Sequence, residues 1–195
     1  MTEEQQQVLQ RLQERFGEAS AWESILPVLP IEMLKDMQLN LFRVLDAELA
    51  VLSRADRMLI ASAVASVCAA PTALLGWLQQ QALLAGKTQP DVDAARAAAM
   101  TVSIYNGYYK FRAMIEGPGW DTFQPALRAT PFVRSALSKQ LVEVICVAVS
   151  VQNTCTHCLQ GHVRSASDAG ATPAMLDEVV RLGAVIGALS GFRAA

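Results

Sequence analysis

Apolar residues recur along the chain at steps of three and four and almost nowhere at steps of two. Ile31, Leu34, Met37 and Leu41 trace one stripe; Leu141, Val142, Ile145 and Val149 trace another. That is the spacing of side chains sharing one face of an α-helix. Ala, Leu, Met, Gln and Arg dominate, and these are strong helix formers. The pattern predicts an all-α fold with no β-strand.

Local signals divide the pattern into helices. Thr2 followed three later by Gln5 is a capping-box pair, and Gly17 suits the end of a first helix. Pro30 fits the opening of a second. Ser53 with Asp56 opens a third, to about Ala69, and Pro71 starts a fourth that ends near Gly86. Pro90 and Asp91 begin a long fifth running to about Glu116. Gly117, Pro118 and Gly119 stop it, and an irregular segment is expected to about Pro131. A sixth helix begins near Ser138 and breaks at Asn153 and Thr154. A seventh follows to about Ala169, with Gly170 just beyond its end. Thr172 and Pro173 open the last helix, which runs nearly to the C-terminus. Gly183, Gly187 and Gly191, four apart, mark a face where another helix comes close.

A longer period lies over this one. Leu52, Ser53 and Arg54 open a helix, and Leu137, Ser138 and Lys139 open another 85 residues later. After each come an apolar helix, a short break, a helix ending at Gly86 or Gly170, and a helix opening at Pro90 or Pro173. The chain therefore reads as one helical domain, 1–195, with a degenerate first repeat over 52–116 and a second over 137–195. At that offset Cys155 falls opposite Ala70, Cys158 opposite Ala73, and His162 opposite Trp77. Only the second copy carries a reactive set.

Composition narrows the setting. The chain is 52% hydrophobic and 17% charged, against roughly 25% charged in an average soluble domain. So little polar skin predicts a homo-oligomer. No apolar run approaches the roughly 18 residues of a membrane span. Net charge is −2, with Lys and Arg scattered singly, which leaves no basic stripe for nucleic acid and no polybasic patch for lipid. The first residues are acidic and polar where a secretory leader is basic and then apolar. Four cysteines are too few for a disulfide-held scaffold of this length. The expected compartment is the cytoplasm, where a close Cys-x-x-Cys pair is catalytic or metal-binding more often than structural.

Cys155, Cys158 and His162 lie at i, i+3 and i+7, so on a helix they share one side. Two thiols at a helix end are expected within reach of small molecules. Cys155 at the helix start feels the positive end of the macrodipole, which favours its thiolate. Cys158 has His162 four residues on to take its proton. The two arguments point to different nucleophiles. Glu143, twelve residues before Cys155 in an apolar run, is costly to bury without a partner and is placed to orient His162. His157 points off the cysteine face, with a solvent or interface role as open as proton transfer. Cys68 and Cys146 lack polar company and read as small core residues. Tyr105, Tyr108 and Tyr109 read as packing and subunit contacts. A zinc site from Cys155, His157, Cys158 and His162 is the weaker alternative, because tetrahedral sites draw ligands from two separated segments.

Glu143, Cys155, His157, Cys158 and His162 together resemble the signature of the alkyl hydroperoxidase D proteins, in the wider carboxymuconolactone decarboxylase-like superfamily. The likeness extends to Leu34 through Leu41 and to Tyr105 through Tyr109, and covers the chain from about residue 25. It implies an internally duplicated helical bundle assembling as trimers or multiples of trimers. It implies reduction of organic hydroperoxides, with no cofactor, through a disulfide re-reduced by lipoamide-bearing acyltransferase proteins and linked to a peroxiredoxin. By resemblance Cys158 is the peroxide-attacking thiol and Cys155 the resolving one. His162 is the proton acceptor with Glu143 behind it, and His157 is the histidine inside the motif. Gly161, where relatives often have alanine, and the first thirty residues lie outside the match. Two other readings share the scaffold: a general disulfide reductase, and a decarboxylase or lactone enzyme, which would not need the cysteine pair. A helical assembly module without catalysis is the third.

Overall fold

A computed structural model describes residues 1–17, 20–23, 29–46, 51–115, 119 and 122–191. The expected helix stop at Gly117 and Pro118, and residues 192–195 at the end of the expected second repeat, lie outside the described residues. Among the described residues there are ten helical segments and no strand. They are α1 (Glu3–Phe16), α2 (Ser20–Glu23), α3 (Ile31–Leu45), α4 (Arg54–Val67), α5 (Thr72–Leu84), α6 (Gln89–Met114), α7 (Thr130–Val133), α8 (Lys139–Gln152), α9 (Thr156–Asp168) and α10 (Pro173–Gly191). No helix among them is long and apolar enough to cross a membrane.

The helix borders follow local hydrogen-bond chemistry. Thr2 and Gln5 close a reciprocal capping box, satisfying two of the four N–H groups that a helix start leaves unpaired. Ser53 and Ser138 accept from the backbone N–H of Asp56 and Leu141, three residues on. Thr172 does the same for Met175. The long sixth helix starts at Gln89, with Thr88 and Asp91 forming its box; the backbone and hydroxyl of Thr88 hold the Asp91 carboxyl below its ordinary range. Two short helices, α2 and α7, were not expected, and α7 begins at the end of the stretch expected to be irregular. Of these, α7 carries Thr130 and Pro131 in its first turn, a proline position that suits a helix start.

α4 and α8 form the centre. Every residue from Arg57 to Ala65 and from Val144 to Ser150 is buried, the all-round burial expected of helices enclosed by others. α5, α6 and α10 pack on α4; α6, α9 and α10 pack on α8; α4 and α8 touch each other. α10 approaches α8 through its glycines. A Cβ on Gly183 would sit 3.5 Å from the Ala148 Cβ, and one on Gly187 would collide with the Gln152 side chain. Gly191 meets nothing within 4 Å, so the close face stops one turn short of the expected repeat. Glu178 of α10 accepts the backbone N–H groups of Val51 and Leu52 at 2.8 and 3.1 Å, tying the last helix to the entry of α4.

α1 to α3 cover the first half. Phe16, Trp22, Phe42 and Trp77 form an aromatic cluster with ring centroids 5.0 to 5.8 Å apart, and the Trp77 indole donates to the Phe16 carbonyl at 3.1 Å. Trp77, the residue 85 positions before His162, is thus sealed beneath α1.

The α4–α5 and α8–α9 turns share one backbone path. Ala69 and Thr154 both adopt positive φ, 55° and 52°. Ala70 N–H reaches the Ala65 carbonyl at 3.2 Å, and Cys155 N–H reaches the Ser150 carbonyl at 3.1 Å. A β-branched residue in this left-handed region is strained by about 1–2 kcal/mol. Thr154→Gly is therefore expected to raise stability by about 1 kcal/mol, read as a higher denaturation midpoint with an unchanged slope; a lower midpoint would show that the threonine makes a compensating contact.

Candidate active site

The α8–α9 turn delivers the cysteines. Cys155 is the N-cap of α9, and its Sγ accepts the Cys158 backbone N–H at 3.4 Å. The two Sγ atoms are joined in a disulfide, with the Cα atoms 5.4 Å apart. That separation is ordinary for a bridged pair. It arises because cap and third helical residue fall within one turn.

One turn further along α9, His162 meets Glu143 of α8, with His162 Nδ1 2.8 Å from Glu143 Oε2. A carboxylate accepts, so Nδ1 donates to it, and in the neutral ring Nε2 then keeps its lone pair. Glu143 thereby selects the imidazole tautomer in which the outer nitrogen is basic. Both side chains are largely buried, which limits the orientations the ring can take.

These groups face a cleft of about 280 Å³. Its floor is α9, with Cys158, Gly161 and His162; its walls are Tyr105 and Tyr109 of α6 and Phe132 of α7. The Tyr105 hydroxyl donates to the Leu127 carbonyl at 2.6 Å, and Arg112 donates to the Phe123 carbonyl at 3.0 Å. α6 thus pins the segment that leads into α7. Phe132 meets the His162 ring edge-on at 6.1 Å between centroids.

The structure brings together all five residues singled out in the sequence, with three differences in detail. The cysteines are not exposed: Cys155 is 2% and Cys158 7% accessible, and of the two only Cys158 lines the cleft. The α8–α9 packing covers the turn from behind and leaves the inner sulfur on the open side. His157, expected to point away, lines the same cleft, with its ring 4.9 Å from that of Tyr109. Tyr105 and Tyr109, read as packing residues, form a wall of the cleft. Phe132 was not singled out at all; its one signal was the Thr130–Pro131 helix opening.

Of the other thiols, Cys146 is core and Cys68 is partly buried against it. Burial pushes Cys146 well above the ordinary thiol range, and the Glu143 charge adds to this; burial likewise raises Cys68. Among the described residues no three His, Cys, Asp or Glu side chains converge as a metal cage.

A bundle whose described elements are all helices, with a Cys-x-x-Cys disulfide at one helix start and a carboxylate–imidazole pair beside it, defines an all-helical Cys-x-x-Cys class of protein. Residues 119–195 match the Carboxymuconolactone decarboxylase family. The chain is 31% identical to the alkyl hydroperoxide reductase AhpD of Anaeromyxobacter dehalogenans over 168 residues, covering 86% of this chain and 87% of that protein. It is 34% identical over 94 residues to the protein of the same name from Methylocella silvestris, covering 48% of this chain and 53% of that one. With the Azorhizobium caulinodans protein it shares 32% over 95 residues, 49% of this chain and 52% of the other. The chain thus spans about half the length of these last two relatives and most of the first. It belongs to the alkyl hydroperoxide reductase AhpD family.

Proposed function

We propose that the protein is a thiol-dependent peroxidase that reduces organic hydroperoxides and is recycled by an external dithiol. One observation carries this reading: a Cys-x-x-Cys disulfide whose inner sulfur shares a cleft with an imidazole whose Nδ1 lies 2.8 Å from a carboxylate. The names of the relatives support it.

In the reduced protein, His162 Nε2 takes the Cys158 proton. The thiolate attacks the outer oxygen of the hydroperoxide; an S–O bond forms, the O–O bond breaks, and the alkoxide leaves as an alcohol with the proton from His162. Cys158 is now a sulfenic acid. The Cys155 thiol attacks this sulfur, forming the disulfide and releasing water. The reducing dithiol then attacks Cys158 Sγ, Cys155 leaves as a thiolate at the helix N-terminus, and the second thiol of the donor completes the two-electron reduction. His157 lies at the rim of the cleft, where it meets the entering oxidant or donor.

The donor in this reading is a lipoamide-bearing acyltransferase, with a peroxiredoxin linked to the same system in the cytoplasm. Hydroperoxide consumption tests it, with dihydrolipoamide, thioredoxin and glutathione compared as donors. Consumption with a dithiol is the expected result. Disulfide exchange without peroxide consumption would leave a general disulfide reductase in its place.

The proposal includes a homo-oligomer, a trimer or a multiple of trimers, assembled through α6. Met100, Ile104, Phe111 and Met114 are exposed on that helix, and with Gly107 they follow steps of four and three, the spacing through which helices of separate chains interlock. Ile104→Asp is expected to shift the protein to monomer in sedimentation velocity; an unchanged oligomer would place the interface elsewhere. The shared turn geometry at Ala69 and Thr154 supports reading 52–116 and 137–195 as copies of one unit, the first degenerate.

A further inference from the structure

Beneath the Cys155 turn lies a set of polar side chains that the cycle above does not use. Asn106, on α6, is fully buried at 0% exposure. Its Nδ2 donates to Ser150 Oγ at 3.1 Å, and its Oδ1 accepts from Asn153 Nδ2 at 2.9 Å. Asn153 Nδ2 also lies 3.3 Å from Ser103 Oγ. Ser150 is itself fully buried, and its carbonyl accepts the Cys155 N–H. A bonded path therefore runs from α6 through the end of α8 to the backbone of Cys155.

Buried amides and hydroxyls are costly unless bonded, and a satisfied network fixes one arrangement of the parts it joins. The α4–α5 turn shows that the backbone path does not need such a network. Cys68 N–H reaches the Val64 carbonyl at 3.1 Å where Asn153 N–H reaches that of Val149 at 2.9 Å, and the positive-φ residue follows in both. Yet Ala65 and Cys68 stand there in place of Ser150 and Asn153. That turn folds with neither a hydroxyl at the position of Ser150 nor an amide at the position of Asn153. What distinguishes the second turn is the sulfur that follows it.

We propose that Asn106 is a positioning residue for the cysteine pair. It fastens the Cys155 end of the turn to α6, the helix that also supplies Tyr105 and Tyr109 to the cleft, and so holds the Cys155 thiol within bonding reach of Cys158 after reduction. The network raises the effective concentration of one thiol toward the other, which favours the disulfide. This concerns the site of the proposed peroxidase, but its first consequence is independent of peroxide. In a glutathione buffer the disulfide and two glutathione thiols exchange for two protein thiols and one glutathione disulfide, a two-electron transfer whose equilibrium constant reads the effective concentration directly.

Asn106→Leu is expected to shift that equilibrium at least tenfold toward the dithiol, equivalent to about 30 mV. Asn153→Ala, at a partly exposed position, is expected to shift it in the same direction by less, and decides the matter if Asn106→Leu does not fold. A constant within twofold of the parent in the variants that melt cooperatively overturns the proposal and leaves the network a packing feature. In the peroxide reaction, both variants are expected to keep the rate of sulfenic acid formation and to slow its conversion to disulfide, Asn106→Leu at least tenfold and Asn153→Ala by less. If the parent protein consumes no hydroperoxide, the peroxidase reading falls while the glutathione equilibrium still tests the role of Asn106.

Discussion

Cys158→Ser is expected to abolish hydroperoxide-dependent turnover, by a factor of at least about a thousand, while leaving the melting transition of the reduced protein nearly unchanged. The sulfur it removes is the one of the pair that lines the cleft, and a serine hydroxyl does not ionise near neutral pH. Cys155→Ser has a different signature. In the proposed cycle it keeps the attacking sulfur and loses the resolving one, so a single equivalent of hydroperoxide should be consumed and a sulfenic acid persist that a diketone reagent traps. Rapid single-turnover kinetics on the two variants separate the roles. A burst from Cys158→Ser and none from Cys155→Ser would reverse the assignment and return the decision to the helix-end effect at Cys155.

Glu143→Gln is expected to lower kcat/KM by about 10²–10⁴ without loss of fold. The substitution keeps shape and volume at a largely buried position but can present an amide N–H₂ to His162 Nδ1. That reverses the tautomer, puts the hydrogen on Nε2, and removes the proton acceptor from the sulfur. A merely structural role for the carboxylate predicts instead a lower melting temperature with little change in rate. The adjacent Cys146 provides a control. Burial is the larger cause of its raised pKa and the Glu143 charge the smaller, so its thiol stays unreactive in the variant, and any new alkylation there would report a disrupted core.

How far the sequence revealed this arrangement depended on range. Thr2, Ser53, Ser138 and Thr172 bond to backbone three residues away, so their helix starts were legible without any knowledge of tertiary contacts. The Cys155–Cys158–His162 alignment is equally local, a property of one helix. The Glu143–His162 pair spans nineteen residues but was legible because a lone carboxylate in an apolar run demands a partner. The remainder of the site was hidden. Asn106 lies 44 residues from Ser150 and 47 from Asn153, and an asparagine in an Ala-rich helix looks like a surface residue until the neighbouring helix is in place. Phe132 and the tyrosines become cleft walls only when α6 and α7 meet above α9. His157 is exposed as a residue off the cysteine face should be, but a helical wheel shows direction around one axis and omits the Tyr109 ring that meets it. The accessibility of the thiols was overestimated for the same reason: a helix start looks open until the preceding helix folds back against it.

The enclosure of Cys155 has a kinetic consequence. With one sulfur of the pair on the floor of the cleft, the proposed cycle has oxidant and reducing dithiol reach the same atom by the same approach and never together. In the proposed cycle this gives ping-pong turnover, in which an excess of either reactant occupies the form meant for the other. Selectivity toward the two reactants is then coupled: widening or narrowing the passage for a bulkier peroxide also alters the fit of the electron donor.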